Sequence, residues 1–378
     1  MAKSKKKNNQ KKGTPTILSI VFIIIVLIGY FVYNKINQPE PIDAKGEISF
    51  HFMMLGNKNA GDCVYVKAGE NDILIDAGSK ENSIGSIKDY IDDYVTDGKL
   101  EYVIVTHAHE DHIAGFTKTN GSIFDLYECE TIIDFPKTDK SETTEKGNRS
   151  LYGKYVDERT AEVNAGAKHY TALECCNNEN GAQKVYNLTE DGNVKLEILY
   201  NYYYENNAKD ENDYSVCVQF LHGDRRFIFT GDLEADGEEY LIEYNDLKQV
   251  ELYKAGHHGS VSSSSTKFMQ AIKPKACVVC CCAGCVEYTK NINKVFPSQQ
   301  FINNVAPYTS KIYIPIMMDM VQVDGENYDN EGDVQIMNGN VVIISTDGEV
   351  SVECSNNNTI LKESKWFKEN RTWPANGK

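Results

Sequence analysis

The sequence predicts an α/β domain, in which helices cover β-sheets. Residues 102–105 form an apolar run that leads into a polar cluster, as expected for a buried strand ending at a sheet edge. Residues 83–95 instead repeat an apolar side chain every three or four positions, from Ile84 to Val95, which is typical of a helix. Segments of these two kinds alternate along the chain, and this alternation indicates helices packed on a sheet.

The first half of the domain is predicted to be rich in strands. Strands are expected at residues 48–54, 63–68, 73–78, 100–105 and 131–134, with two short ones between residues 185 and 199. Asn71 and Asp72 form the predicted hairpin turn into the third strand. Helices are expected at residues 83–95 and 157–167, and another starts near residues 113–116. Residues 137–152 are polar and charged, so we expect them to be exposed.

The second half continues the alternation. Residues 200–207 form a tyrosine-rich loop, and a hairpin of residues 215–222 and 226–230 follows it. Helices are expected at residues 235–246 and near residues 291–304, and strands at residues 250–255, 341–345 and 350–353. Residues 361–378 are expected to be a loose tail.

The N-terminal region combines a basic segment with an apolar one. Residues 1–12 contain six lysines and no acid, and residues 17–33 are almost purely apolar. A helix of that length rises about 25 Å, enough to cross a bilayer core. No small-residue cleavage pattern follows, so an anchor is preferred over a cleaved signal peptide. The lysines should stay in the cytoplasm, which places the following domain outside the cell membrane.

These features divide the chain into five parts. We expect a basic cytoplasmic tail at residues 1–16, a single-pass transmembrane anchor at 17–34, a linker at 35–46, a folded domain at 47–360 and a tail at 361–378. Seven of the 39 Lys and Arg and one of the 55 Asp and Glu lie in residues 1–40, so residues 41–378 carry a net charge of −22. This acidity argues against sequence-independent wrapping of nucleic acid. It does not exclude a small phosphate-bearing substrate, because bound metal ions would dominate the local charge.

Eleven cysteines are a high number for an exported domain. Cys277, Cys280, Cys282 and Cys285 have gaps like those of metal ligands. The preferred interpretation is a buried strand in which cysteine serves as a small apolar residue, because neighbours in one strand point to opposite faces. The pair at residues 175 and 176 has no explanation from the sequence.

The strongest chemical signal is the run from Thr106 to His112, directly after the strand candidate at residues 100–105. It contains three histidines and Asp111. His107 and His109 are two residues apart, so in extended backbone they leave on the same side and can bind one ion. Asp111 and His112 can reach a second ion. Nitrogen and carboxylate ligands without thiolate suit zinc, manganese or iron(II).

Together with motifs elsewhere, this run resembles the metallo-β-lactamase superfamily, and most of all the extracellular hydrolase domain of ComEC-type DNA-uptake proteins. The matching pieces are at residues 61–63, 74–78, 106–112, 212–216, 230–233 and 254–260. Bacterial phosphorylcholine esterases of the same superfamily look similar, including the adjacent histidines of the last motif. The resemblance implies a four-layer αβ/βα sandwich over residues 47–360, with two divalent metal ions, zinc or manganese, at one sheet edge.

The resemblance also implies roles for individual residues. The metal ligands would be His107, His109, Asp111, His112, Asp232 and His257, with Asp232 bridging the two ions. His257 and His258 are alternatives, and strand alternation favours His257 as ligand. Catalytic roles would fall to Asp111, Lys254 and His258, the last donating to the phosphoryl oxygen or leaving group. Supporting positions would be Asp62, Asp76, Asn212 and Ser260. A hydroxide held between the ions would attack phosphorus in line.

The chain departs from the superfamily pattern in two places. Many members have a further histidine between the first cluster and the bridging acid, and here only His169 and His222 occupy that interval. We expect His222 to be exposed beside a hairpin turn and His169 to be an ordinary loop histidine rather than a ligand. Residues 287–291 replace an expected Asn-x-x-Gly-His-Pro-like stretch. The multi-span channel of full uptake proteins is missing, so DNA uptake is not inferred.

Three functions remain open. The first is a membrane-anchored phosphodiesterase or nuclease, acting on DNA or on a small head group such as phosphocholine. For the head-group variant, Tyr202, Tyr203 and Tyr204 could form walls around a quaternary ammonium, although packing on the domain surface is the preferred role. The second is hydrolysis of a lactam, lactone or thioester. The third is a metal-stabilised scaffold without turnover. The expected partners are a phosphodiester substrate and the membrane; no protein partner can be inferred.

Overall fold

The computed structural model describes residues 23–26, 47–118 and 121–378. Residues 23–26 are helical and exposed. Within these described stretches, no helix has both the length and the apolar character that crossing a membrane requires. The anchor predicted at residues 17–34, apart from residues 23–26, and the whole linker lie outside the described residues, so both stay predictions.

The first sheet has eight strands, six from the N-terminal part of the domain and two from its C-terminal part. Its strands are β1 (Ile48–Phe52), β2 (Val64–Ala68), β3 (Asn71–Ile75), β4 (Lys99–Ile104), β5 (Glu128–Asp134), β6 (Lys168–Thr171), β17 (Val341–Ser345) and β18 (Val350–Cys354). They are ordered β18-β17-β1-β2-β3-β4-β5-β6. Strands β3 to β6 run parallel, and the remaining pairs are antiparallel. The predicted turn at Asn71 is wrong by two residues, because β3 already begins there and the turn is formed by Gly69 and Glu70.

The second sheet has seven strands. These are β7 (Val185–Asn187), β8 (Val194–Leu199), β9 (Cys217–His222), β10 (Arg225–Phe229), β11 (Leu252–Lys254), β12 (Ala276–Val278) and β14 (Ile312–Tyr313). They are ordered β14-β12-β11-β10-β9-β8-β7. Strands β10, β11, β12 and β14 run parallel. Both sheets therefore have a parallel half, where loops at the carboxyl ends of neighbouring strands come together.

A third, three-stranded sheet was not predicted from the sequence. It consists of β13 (Cys282–Ala283), β15 (Ile316–Asp324) and β16 (Asn327–Ile336). The cysteine-rich segment is thus not one strand but two short ones, β12 and β13, in different sheets. Cys277, Cys280, Cys281 and Cys282 are all buried, in agreement with their predicted apolar role.

Helices cover the outer faces of the two large sheets. They are α1 (Ser83–Ile91), α2 (Glu110–Ile113), α3 (Ile123–Leu126), α4 (Leu151–Ala165), α5 (Ala172–Asn177), α6 (Ala235–Tyr244), α7 (Thr266–Ile272), α8 (Gln299–Val305) and α9 (Lys365–Asn370). The predicted α/β class is therefore confirmed.

The layers can be followed along β1. Phe50 packs between the sheets, with its ring 5.3 Å from that of Phe220 and 4.6 Å from that of Phe227. The next residue, His51, points to the opposite face and its Nδ1 is 2.8 Å from the hydroxyl of Tyr90 on α1. On the second sheet, helices α6, α7 and α8 share a buried cluster with β11 and β12. The order of layers is helix, sheet, sheet, helix.

Two local expectations are corrected by burial. Residues 361–378, expected to be a loose tail, include α9, whose Trp366 and Phe367 are buried in the second cluster. His222, expected to be exposed, is 4% exposed and is 2.8 Å from a carboxylate oxygen of Glu47. The tyrosine-rich loop packs on α6 as preferred, because the Tyr202 ring stacks 4.1 Å from that of Tyr240.

Candidate metal centre

The predicted site residues meet at the carboxyl ends of the parallel strands of both sheets. Asp76 follows β3, and the run from Thr106 to His112 follows β4. From the second sheet, Asp232 follows β10, and the histidine pair follows β11. This is where parallel strands commonly present functional groups.

One set of potential ligands consists of Asp111, His112, Asp232 and His258, whose ligand atoms all lie within 4.8 Å of one another. His258 Nε2 is 3.2 Å from Asp111 Oδ2 and 3.1 Å from Asp232 Oδ2. His112 Nε2 is 3.2 Å from the same Asp232 oxygen. Two imidazole nitrogens and two carboxylate oxygens therefore converge on one point.

His112 is oriented from behind by Asp76. The Nδ1–H of His112 donates to Asp76 Oδ2 at 2.7 Å, and Asp76 also accepts from the amide and the hydroxyl of Thr106, both at 2.7 Å. With its proton on Nδ1, His112 points the lone pair of Nε2 at the ligand set. A contact of this kind can orient a metal ligand, and the role of His112 as a ligand stays a prediction.

His258 is oriented in the same way, but by a main-chain group. Its Nδ1–H donates to the carbonyl of Cys280 at 2.9 Å, which turns Nε2 toward Asp111 and Asp232. His257 instead faces away from them, with Nδ1 3.1 Å from Ser262 Oγ and 3.3 Å from Glu234 Oε1. The geometry thus reverses the preference for His257 as the ligand.

The reversal has a backbone cause. His257 and His258 lie in a 3₁₀ turn with φ of 46° and 51°, in the left-handed region. Alternation of side chains holds only in extended backbone, so it could not decide between these two residues.

A second set of donors adjoins the first. His107 Nε2 and His109 Nδ1 face each other at 3.1 Å, and the ring of His107 is 4.1 Å from that of His112. Asn212 Oδ1 lies 2.9 Å from His109 Nδ1. Asn212 was predicted only as a supporting residue. Its amide oxygen is close enough to His109 to be a third potential metal ligand beside the two histidines.

Lys254 lies beneath the centre rather than at its mouth. Its ammonium group forms an ion pair with Asp62 and is 3.4 Å from Asp232 Oδ1, and the residue is 2% exposed. Although burial lowers its pKa, the charges of Asp62 and Asp232 raise it overall, so Lys254 stays charged. These contacts indicate that Lys254 and Asp62 position the Asp232 carboxylate.

The carboxylates divide the histidines into two classes. Burial lowers the pKa of His107 and His109, which keeps both neutral. Burial also acts against the charged form of His112 and His258, but the charge of Asp232 raises the pKa of both well above the ordinary value. The first set, which contains His112 and His258, therefore draws positive charge, from protons or from a metal ion.

The donor set fits a divalent ion. Among the described residues, neither His112 Nε2 nor Asp62 Oδ1, both buried, has a hydrogen-bond partner. Because the lone pair of His112 Nε2 faces a carboxylate oxygen, a cation between them would satisfy both. Imidazole with carboxylate is a suitable set for zinc or manganese.

Several residues at the site were missed by the sequence analysis. The Tyr288 hydroxyl donates to Asp111 Oδ2 at 2.8 Å, and Glu234 lies beside His257. Buried Glu211 accepts from the amide of Ala108 at 3.0 Å and so supports the histidine run. Tyr288 lies in residues 287–291, where the sequence departs from the superfamily pattern. That departure was the sequence signal that could have pointed to Tyr288.

Two further residues from the sequence analysis, His169 and Ser260, also lie outside the ligand sets. His169 is on β6 with its Nε2 2.8 Å from Asp134 Oδ1, so it pairs with a buried acid, as expected of a residue that is not a ligand. It is in a strand, however, rather than in the expected loop. Ser260 Oγ is 3.1 Å from Ser262 Oγ and supports the His257 side of the turn.

The sequence model of the metallo-beta-lactamase superfamily matches residues 56–118, which include Asp76 and the run from Thr106 to His112. The resemblance to the metallo-β-lactamase superfamily is confirmed. ComE operon protein 3 of Bacillus subtilis (strain 168) is 32% identical over 69 residues, 18% of this chain and 9% of that protein. Competence protein ComA of Neisseria gonorrhoeae is 36% identical over 70 residues, 18% of this chain and 10% of that protein.

The similarity to ComEC-type proteins thus rests on a segment that spans about a tenth of each curated relative. Among solved structures, the metallo-β-lactamase fold protein YhfI from Bacillus subtilis aligns with a TM-score of 0.39 and 11% identity. That alignment covers 71% of this chain and 95% of YhfI.

Proposed function

We propose that this chain is a membrane-anchored, extracytoplasmic hydrolase that uses two divalent metal ions to cleave phosphodiesters. The observation that carries the proposal is the convergence of His112 Nε2, His258 Nε2 and two carboxylates beside the facing His107 and His109. His258 replaces His257 as the proposed ligand, and Asp232 is the proposed bridge. Zinc or manganese bound there would supply Lewis acidity and would lower the pKa of a bound water.

The residues of the chain would then divide the remaining work. Lys254 and Asp62 hold Asp232 from below, and Asp76 and the Cys280 carbonyl fix the two histidines. A rigid frame of this kind keeps ligands in place without reorganisation during the reaction.

His257 is suited to donate a proton to the leaving group. Its Nδ1 lies against Glu234, while its Nε2 makes no hydrogen bond to any part of the chain that the structure describes. Its side chain is 22% exposed, so a substrate can reach it. Although burial raises the pKa of Glu234, the hydrogen bonds from His257 and Ser262 lower it overall, so Glu234 is an anion that can stabilise imidazolium.

The two candidate substrates, a nucleic acid and a small head group, differ mainly in size. Residues 41–378 are strongly acidic, which opposes a long polyanion. An aromatic surface adjoins the centre, because the Phe296 ring is 5.8 Å from that of His258 and 5.7 Å from that of Tyr288. These two rings, rather than the tyrosines of residues 202–204, favour a head group such as phosphocholine as the second candidate.

The test uses the full chain loaded separately with manganese and zinc. It is assayed side by side on single- and double-stranded DNA, bis-p-nitrophenyl phosphate and p-nitrophenyl phosphorylcholine, with Asp232→Ala as the inactive control. Metal-dependent cleavage of DNA that is lost in the control would support a nuclease. Turnover of the small esters alone would support the head-group enzyme. Two bound metals without turnover of any phosphodiester would refute the proposal and leave lactone or lactam hydrolysis, or a scaffold.

A further inference from the structure

Eleven free thiols lie in the domain, and two of them differ from the rest in geometry. Cys282 and Cys285 are the ends of a Cys-Ala-Gly-Cys sequence at the end of β13. The amide of Cys285 donates to the carbonyl of Cys282 at 3.1 Å, which closes a four-residue turn. Gly284 permits this turn because its φ is +84°, and a side chain there would collide with Trp366.

The turn brings the two cysteines within bonding range. The ends of a β-turn have Cα atoms less than about 7 Å apart, and disulfides need about 4.4 to 6.8 Å. Both side chains pack in one small cluster with Met318. Little backbone movement would be needed to join them.

The two thiols also differ in access and reactivity. Cys282 is 2% exposed, whereas Cys285 is partly exposed. Interaction with the Cys282 thiol, together with the Glu287 amide, lowers the pKa of Cys285 despite its burial. Burial raises the pKa of the other nine cysteines, such as Cys281 and Cys354, which makes them poor nucleophiles.

We propose that Cys282 and Cys285 form a reversible disulfide by exchange with a small-molecule disulfide such as oxidised glutathione. The Cys285 thiolate attacks one sulfur of the small disulfide, whose S–S bond breaks and releases one thiolate that takes up a proton. Cys282 then loses its proton and attacks the mixed disulfide at Cys285, releasing the second thiol. The chain loses two electrons and two protons, and one small disulfide becomes two thiols.

The pair lies at the rim of the metal centre. Glu287, two residues on, accepts from the amide of Ala60 at 2.8 Å and from the side chain of Asn59. Tyr288 follows, with its hydroxyl on Asp111. The loop that the disulfide would tighten therefore carries two contacts to the metal-centre loops, although formation of the bond does not depend on the proposed activity.

The test is differential alkylation of the full chain in glutathione buffers that contain an increasing proportion of oxidised glutathione. After acid quenching and unfolding, free thiols are alkylated and the peptide of residues 276–290 is read by tandem mass spectrometry. We expect alkylation of both Cys282 and Cys285 to fall at least about tenfold, with the loss of two hydrogens between them and full recovery in dithiothreitol.

Two variants make the result specific. Cys285→Ser should keep Cys282 alkylated at every buffer composition, whereas Cys354→Ser, at another partly exposed cysteine, should leave the bond unchanged. Continued alkylation of both residues would overturn the proposal, and so would a bond from Cys285 to Cys281. Protection of both thiols without the loss of two hydrogens would also overturn it, because it would indicate a bound soft metal ion instead.

Discussion

At the scale of single residues, the histidine pair after β11 divides two tasks between neighbours. Left-handed backbone at both positions sends His258 toward Asp111 and Asp232 and sends His257 toward Glu234. His258 is buried among carboxylates, whereas His257 remains accessible to solvent. Binding and proton transfer should therefore respond to different substitutions.

We predict that His258→Ala will reduce bound manganese from about two ions per chain to about one, because it removes a ligand from the set formed with Asp111, His112 and Asp232. His257→Ala should leave the stoichiometry unchanged and lower kcat by about 10²-fold or more, as for loss of a proton donor. Elemental analysis after dialysis and initial rates on bis-p-nitrophenyl phosphate check both. Loss of metal in His257→Ala alone would restore the original preference for that residue.

Asp76 gives a second prediction at this scale. Asp76→Asn should weaken metal binding by about 10- to 100-fold, because the amide can no longer hold the Nδ1–H of His112 as a carboxylate does. The measurement is competition with a chelating dye. Asp134→Asn is the matched control, since Asp134, the last residue of β5 in the same sheet, is equally buried and pairs with His169. Equal losses in both variants would assign the effect to folding.

The sequence could supply most of these residues but not their geometry. Repeated His and Asp at strand ends predicted His107, Asp111, His112 and Asp232, because the strands themselves have clear apolar patterns. The choice of His258 depends on a left-handed turn and on a carbonyl of Cys280, and a main-chain acceptor leaves no mark on composition. Tyr288 reaches Asp111 across 177 positions, a contact that no local pattern encodes.

At the scale of elements, α6 and α7 are joined by a buried acid. Glu238 on α6 is fully buried and accepts from the amides of Ser264 and Ser265, at 2.6 and 2.7 Å, where α7 begins. Burial raises the pKa of its carboxyl to about 7. The sequence predicted α6 as a helix. The polar residues Ser264 and Ser265, which precede α7, did not indicate that Glu238 would contact them.

The raised pKa implies a pH-dependent stability. The unfolded carboxyl ionises near its ordinary value of about 4.5, while the folded one keeps its proton until about pH 7. Between these pH values the folded state therefore binds more protons than the unfolded state. The stabilisation that this carboxyl contributes is complete below pH 4.5 and is lost as the pH rises through 7.

We predict that Glu238→Gln will remove this loss. Relative to the wild type, the variant should gain up to about 3 kcal/mol in the free energy of unfolding between pH 4.5 and 8, on top of a constant cost for one misplaced amide group. Urea unfolding across this pH range measures it. Glu239→Gln, on the exposed side of the same helix, is the control and should give no such slope; a flat difference for Glu238→Gln would contradict the prediction.

The third sheet shows where sequence patterns fail to predict strands. Strands β15 and β16 are largely exposed, with polar residues such as Asp319 and Glu331 paired across the hairpin. A strand without a buried face lacks the alternation on which sequence recognition depends.

At the scale of the whole molecule, the domain is closed by its C-terminal segment. Leu361, Trp366 and Phe367 belong to the same buried cluster as helices α7 and α8, and Arg371 donates to the carbonyls of Val295 and Pro297. The composition of residues 361–378 is polar enough to suggest a tail, yet its few apolar residues are the ones that pack.

We predict that Trp366→Ala will destabilise the domain by about 3 to 5 kcal/mol, as is usual for removing a large buried ring, whereas Lys365→Ala will change stability by less than about 0.5 kcal/mol. The two residues are adjacent on α9, but Trp366 is 2% exposed and the Lys365 side chain is 74% exposed. Urea unfolding followed by circular dichroism gives both values. Because Trp366 also contacts the turn of Cys282 and Cys285 through Gly284, its loss should loosen that turn and slow disulfide formation. Equal, small effects in both variants would mean that the segment is a tail after all.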